Sequence, residues 1–281
     1  MPTFDTPSPI SATIDLIGGS IRILAGDRAD TVVEVRPRDA SAELDVSTAE
    51  QTRVEYSNGK LLVKSPKPLK VFFGPWSAAV DVTVSLPAGS HVHGTTGHGD
   101  IYGDGVLGDC RLRTFDGDIG LHETGALKAT TMSGQITVDK VTGDAHVTGS
   151  GDVDLTEVTG TANVKNLNGP SWIGQAGGTV HVNSAHGDIS IDRAGPEVVA
   201  RTAYGSVQLT EVAQGTVNLQ TASGDIEVGI RRGTAAWLDV RSMSGGVRNH
   251  LDAGAAPGDS EDSVRIRART LDGDILVRRA A

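Results

Sequence analysis

Cysteine is nearly absent from this 281-residue chain. Cys110 stands alone, which excludes an internal disulfide and a cysteine-rich zinc site. Aromatic residues make up only 4% of the chain, too few for a bulky globular core. No run of about 18 apolar residues occurs, so no transmembrane segment is expected. The opening MPTFDTPSPI has neither a basic n-region nor an apolar h-region, so no signal peptide is read there and a reduced, cytoplasmic home is the default. Helical periodicity longer than about ten residues is missing as well. Net positive charge is also lacking: a formal charge of −10 argues against a general nucleic-acid binder. The chain has no phosphate loop of the form G-x-x-x-x-G-K-[ST], no H-E-x-x-H and no G-x-S-x-G elbow. No cofactor, resident metal or catalytic residue is therefore expected.

Glycine, by contrast, is abundant (36 residues), and it recurs at a fixed interval. Aligned on a Gly-Asp-Ile-like triplet, the glycines are Gly99, Gly117, Gly134, Gly151, Gly169, Gly187, Gly205, Gly224, Gly245 and Gly273, mostly 17 to 19 residues apart. Two residues after each comes Ile or Val, with Ser171 the one exception. Three residues before each stands a short polar residue, from Thr96 and Thr114 to Ser242 and Thr270, able to bond its counterpart on the next rung. A second glycine, such as Gly108, Gly125 or Gly160, follows about nine residues on, so each repeat carries two turns and two short strands. Such a unit cannot bury its own apolar side and must stack on its neighbours. The expected fold is all-β: a single-stranded β-solenoid, or flattened β-helix, of about 17–18 residues per rung. The rung at Gly151 fits only if it slips by one residue, because Asp144 and His146 otherwise fall inside. Cys110 sits in an apolar column and reads as a small buried hydrophobe.

Residues 91–281 carry these repeats, and residues 1–90 read as an irregular β capping region continuous with them. In that region Gly19-Ser20-Ile21 and Gly59-Lys60-Leu61 resemble the triplet. A separate small β domain is the competing reading of residues 1–90. Between Ser65 and Ala78 lie Phe72, Phe73 and Trp76, beside Lys67 and Lys70. They read as a loop plugging the solenoid end or as a loop docking to a partner or membrane.

The blocks ATIDLIGGSIRILAGDRADTVVEVRPRD, VEYSNGKLLVKSP and VDVTVSLPAGS, with the recurrent [TS]-x-x-G-D-I units, resemble the bacterial "putative adhesin" β-strand repeat family, a domain of unknown function. The resemblance implies a β-solenoid and an adhesin-like binding role. It supplies no catalytic residues.

The Asp column after the turn glycine is broken by Gln135, Pro170, Ser206 and Gly246, which suits a turn hydrogen bond better than stacked calcium ligands. His91 and His93 share one strand face without further converging ligands. Trp172 lies in an outward column with Asp154, Ser190, Gln208 and Glu227. That column suits weak glycan binding, but its two acids are four rungs apart, about 19 Å by rung spacing. Glycosidase carboxylates need roughly 5–9.5 Å.

Charge separates by register. The outward positions one, three and five after the glycine, from Gly99 to Gly224, hold ten acids and no Lys or Arg. The outward positions of the other strand hold nine bases, Arg113, Arg201, Arg241 and Arg269 among them, against the acids Asp109, Glu197 and Asp239. The expected function is a non-enzymatic scaffold or binding protein presenting flat charged faces. Its partner would be a lateral copy of itself or an anionic polymer on the basic face. A glycan- or polymer-binding or processing protein is the alternative.

Overall fold

The computed structural model describes residues 1–66, 78–251 and 262–280. The described residues are almost entirely β-strand and form two compact units, Met1–Lys140 and Val141–Ala281.

In the second unit each rung contributes one strand to each of two parallel sheets. One sheet runs Val153–Val158, Ser171–Ala176, Ile189–Arg193, Val207–Val212, Ile226–Ile230, Ile275–Arg279, Val247–Asn249. The other runs Ala145–Gly149, Ala162–Asn168, Val180–His186, Glu197–Tyr204, Gly215–Ser223, Ser263–Asp272, Ala235–Ser244. The repeat columns become ladders. Val153, Ser171, Ile189, Val207, Ile226, Ile275 and Val247 are successive cross-strand partners. All but the terminal Val247 are buried. The slip at Gly151 is present: Ala145 and Val147 are buried beside Ala162 and Val164, while His146 and Thr148 face outward. Ser171, where an Ile is usual, is buried and accepts a hydrogen bond from Asn166 Nδ2 at 3.1 Å, so the polar substitution is met by a polar partner.

Sequence order is not stacking order at the end of this unit. The last rung, 263–279, lies between the rung 215–230 and the rung 235–249. The rungs differ in their second strand, where polar Asn249 of the rung 235–249 lies opposite the buried Val277 of the last rung. Strand Ser263–Asp272 turns Val264, Ile266 and Ala268 inward, all buried between two neighbours. Ala236, Leu238 and Val240 of strand Ala235–Ser244 stay half-exposed at the outer position.

The first unit shows a similar exchange. Strand Ser11–Asp15 pairs with both Lys60–Lys64 and His91–His98, and Ile21–Gly26 with both Val80–Pro87 and Ile101–Val106. Ile21 stands between Val82 and Ile101, as the Gly19 triplet predicts. Gly59 does not mark that triplet. With Asn58 (φ 50°), Gly59 (φ 73°) turns an antiparallel hairpin between Arg53–Ser57 and Lys60–Lys64. Thr3–Asp5 and Asp30–Pro37 close the other sheet with antiparallel pairs. The helix Glu43–Gln51, which the sequence reading missed, contacts strand Asp30–Pro37. Its Asp45 carboxylate accepts from the Ala79 and Asp39 amides at 2.9 and 3.0 Å.

The polar column before each glycine works differently from expectation. Most of its hydroxyls donate to the turn-glycine carbonyl of the neighbouring rung, while the buried Ser184 hydroxyl has no hydrogen-bond partner among the described residues. Thr114 Oγ1 reaches Gly99 O at 2.9 Å, Thr221 Oγ1 reaches Gly205 O at 2.8 Å, and Thr270 Oγ1 reaches Gly224 O at 3.0 Å. The Asp column also spans rungs. Asp100, Asp118, Asp188, Asp225 and Asp274 each accept, through Oδ1, the amide N–H of the corresponding residue of the next rung, at 2.7–2.9 Å. Without this acceptor a turn amide would lose its partner.

Asp188→Asn keeps an Oδ1 acceptor for the Ser206 amide, and its melting temperature should barely move. Asp188→Ala removes the acceptor and should cost about 1 kcal/mol. Thermal melts of both variants, with and without calcium, check this. A calcium-dependent rise in the wild type that Asp188→Asn abolishes would overturn the strut assignment.

Candidate functional site: a basic sheet face

Strand alternation and parallel stacking place residues of equal repeat position side by side. On the outer side of the second unit's Ala235–Ser244 sheet, this yields the cross-strand column Arg241, Arg269, Gln220, Arg201, Asn183, Lys165, Thr148. Three of the four candidate arginines therefore share one register, with Gln220 between Arg269 and Arg201. Arg113 belongs to the first unit, where Thr95 and Thr130 flank it and Arg111 pairs with Lys128 and His93. Arg265 and Arg267 widen the second unit's basic zone along strand Ser263–Asp272. Asp239 interrupts it: its carboxylate binds Arg267 Nε at 3.0 Å and Arg269 at 3.4 Å. The Arg267 hydrogen bond, with Arg269 close by, holds the Asp239 carboxyl below its ordinary range. Among the described residues Arg241 has no carboxylate partner.

A second column was missed by the sequence reading. Two residues before the turn glycines stand Phe115 and Met132 in the first unit, and Leu167, Leu271 and Met243 in the second, all exposed large apolar side chains. In the second unit Ala185, Ala203 and Ala222 fill the intervening rungs. This apolar stripe runs beside the basic one, and the alignment already held it at that position.

Trp172 lies in the opposite sheet, between Asp154 and Ser190, and donates its indole N–H to Asp192 Oδ2 at 3.2 Å. Half-buried and tied down in this way, it offers little open ring face. Asp154 and Glu227 are four rungs apart in that column, and Glu227 pairs with Arg278 at 2.5 Å. Phe72, Phe73 and Trp76 lie outside the described residues. His91 accepts from the Asp109 amide at 2.9 Å, a structural role. Among the described residues no group of three or more metal-ligating side chains converges. No described helix is long and apolar enough to cross a membrane. Burial pushes the Cys110 thiol up to about 11, so it is not a ready nucleophile. An open depression of about 590 Å³ near Trp237 and Arg265 brings one carboxylate, Asp262, to its lining, and with it no acid–base pair.

Residues 14–278 match the family described as Toastrack DUF4097. The chain belongs to that family, whose fold is the β-solenoid. No curated protein matches it. Among solved structures it is similar to a "putative cell adhesion protein" from Clostridium sporogenes ATCC 15579, at 10% identity over 99% of this chain and 98% of that one, TM-score 0.25. A "putative adhesin" from Bacteroides fragilis NCTC 9343 is 14% identical over 98% and 96%, TM-score 0.37. Another from Parabacteroides distasonis ATCC 8503 is 10% identical over 98% and 95%, TM-score 0.41. As a Toastrack protein the chain has a repeating architecture that accounts for its broad faces, and these neighbours add no residue-level assignment.

Proposed function

We propose that this Toastrack protein is a non-enzymatic binding scaffold whose basic sheet face docks an anionic polymer. The observation that supports this most is the column Lys165–Asn183–Arg201–Gln220–Arg269–Arg241. Cations held in strand register recur at multiples of about 4.8 Å, a spacing that a regularly charged chain can follow. The neighbouring apolar column adds contact area that salt does not screen. Solubility alone calls for charge on an exposed sheet, not for a strong excess of one sign on one side. The adhesin-like names of the structural neighbours agree with a binding role.

Retention on a sulfated polysaccharide column tests the proposal. The wild type should bind at low salt and elute by about 0.5 M salt, where the Debye length is a few Å. Reversing Lys165 and Arg201 together to Glu should shift elution to markedly lower salt and leave the melting temperature nearly unchanged. Flow-through of the wild type at low salt, or elution unaffected by the reversals, would discard this reading. Retention that instead follows Trp172→Ala would favour glycan recognition on the opposite sheet.

A further inference from the structure

Strand Ala235–Ser244 is the last strand of its sheet among the described residues. Its inner edge is satisfied, since the Ala235 amide donates to Asp262 O at 2.9 Å and the pairing continues along Ser263–Asp272. Backbone groups of successive strand residues point to opposite edges. Ala236, Leu238, Val240 and Ser242 therefore direct their N–H and C=O groups away from that neighbour, toward the open edge. An open parallel edge of this length is a template for another strand. It also carries apolar side chains that folding has left in water: Trp237 is 66% exposed and Met243 77% exposed.

The outward side chains read Trp237, Asp239, Arg241, Met243. That order is self-complementary when reversed. We propose that a second copy of this chain docks on this edge, the two Ala235–Ser244 strands pairing antiparallel about a two-fold axis at Val240. In that register Asp239 faces Arg241 of the second copy, and Trp237 faces its Met243, each pair occurring twice. The even-numbered residues, whose backbone groups point to the edge, form the hydrogen-bonded pairs: Val240 with Val240, and Leu238 with Ser242. The odd-numbered residues then form the non-hydrogen-bonded pairs, where side chains approach most closely. Neighbouring two-fold registers are worse. Centring on Asp239 or Arg241 sets like charges opposite each other, and centring on Leu238 or Ser242 leaves both charges without an opposite partner.

Charge complementarity is what selects a second copy over another partner. Arg241 has no carboxylate of its own among the described residues. Asp239, bound to Arg267 and Arg269 but still half-exposed, keeps acceptor sites for a further guanidinium. The interface is isologous and closes at two subunits. It does not rest on polymer binding, since Lys165 and Arg201 lie on other strands.

Sedimentation of the full chain over a range of concentrations tests the proposal. The wild type should shift from monomer to dimer. Arg241→Asp and Asp239→Arg should each weaken the dimer on the order of tenfold or more, because both charge pairs become like pairs. The double variant Asp239→Arg, Arg241→Asp should restore it, an outcome that neighbouring registers do not give. Equal melting temperatures would show that every variant is folded. The Lys165 and Arg201 reversals should leave the dimer intact, so the two proposals fail separately. A wild type that stays monomeric, or a dimer indifferent to the single reversals, overturns the proposal. Loss of the dimer in the singles without recovery in the double also overturns the register.

Discussion

Val207→Asp should be among the most destabilising single substitutions in this protein, costing several kcal/mol. Val207 is 1% exposed and lies between Ile189 and Ile226 in the buried column. Asp shares the branched shape of Val and is smaller by about one methylene, so the cavity is small and most of the loss reports the burial of a carboxyl group. No polar partner in its column can receive it, in contrast to Ser171, which Asn166 accompanies. The group would be forced to protonate, with its pKa raised above the unfolded value. The penalty is therefore largest at neutral pH, and it should shrink as pH falls toward the ordinary carboxylate range, where the unfolded chain also binds the proton. Gln208→Asp places the same charge one residue away, in an exposed position. It should change stability by less than about 1 kcal/mol. Chemical denaturation of both variants at neutral and mildly acidic pH checks the prediction. Equal losses for the two would show that the column is not the interior. Because each rung touches only its neighbours, hydrogen exchange should rise first in the rungs around Val207.

Much of this architecture was legible because the repeat period fixes side-chain direction. The Ile/Val column, the slip at Gly151 and the register of Arg201 with Arg241 and Arg269 all follow from counting. Stacking order was not legible. Rungs of equal period are interchangeable as far as pattern goes, and the connection through residues 250–262 is long enough to let the chain return across a rung. The two rungs differ in their second strand: the last rung turns Ile275 and Val277 inward, whereas the rung 235–249 sets polar Asn249 opposite Val277 and so suits the terminal position. The roles of Thr and Asp were misread for a related reason. Thr was expected to bond its counterpart on the next rung and Asp to serve its own turn, whereas both bond the backbone of a neighbouring rung, a pattern that exists only once rungs stack. Gly59 was misread because a hairpin turn and a rung turn share the same residue type.

The glycines themselves carry the second large prediction. Gly224 has φ 145°, and a Cβ there would lie 2.1 Å from the carbonyl oxygen of Gly205 and 2.5 Å from its carbonyl carbon. That carbonyl cannot easily withdraw, because it accepts the Thr221 hydroxyl at 2.8 Å. Moving it would also disturb the Gly205 amide, which donates to Ser223 O at 2.9 Å. Gly224→Ala thus meets two independent penalties: a backbone conformation that L-residues rarely adopt, and a steric overlap with the neighbouring rung. Strain of the first kind costs about 1–3 kcal/mol, and the overlap should bring the total to several. Gly233 separates the two contributions. Its φ is 84°, but nothing lies within 4 Å of an added Cβ. Gly233→Ala should lose only the conformational part, about 1–2 kcal/mol, and Gly233→Asn less, since Asn tolerates that region. If denaturation showed Gly224→Ala and Gly233→Ala to be equally destabilised, close approach between rungs would not be what holds glycine at the turn. A larger loss at Gly224, extending to Gly187 and Gly205 but not to Gly233, would tie the fixed glycine interval directly to rung stacking.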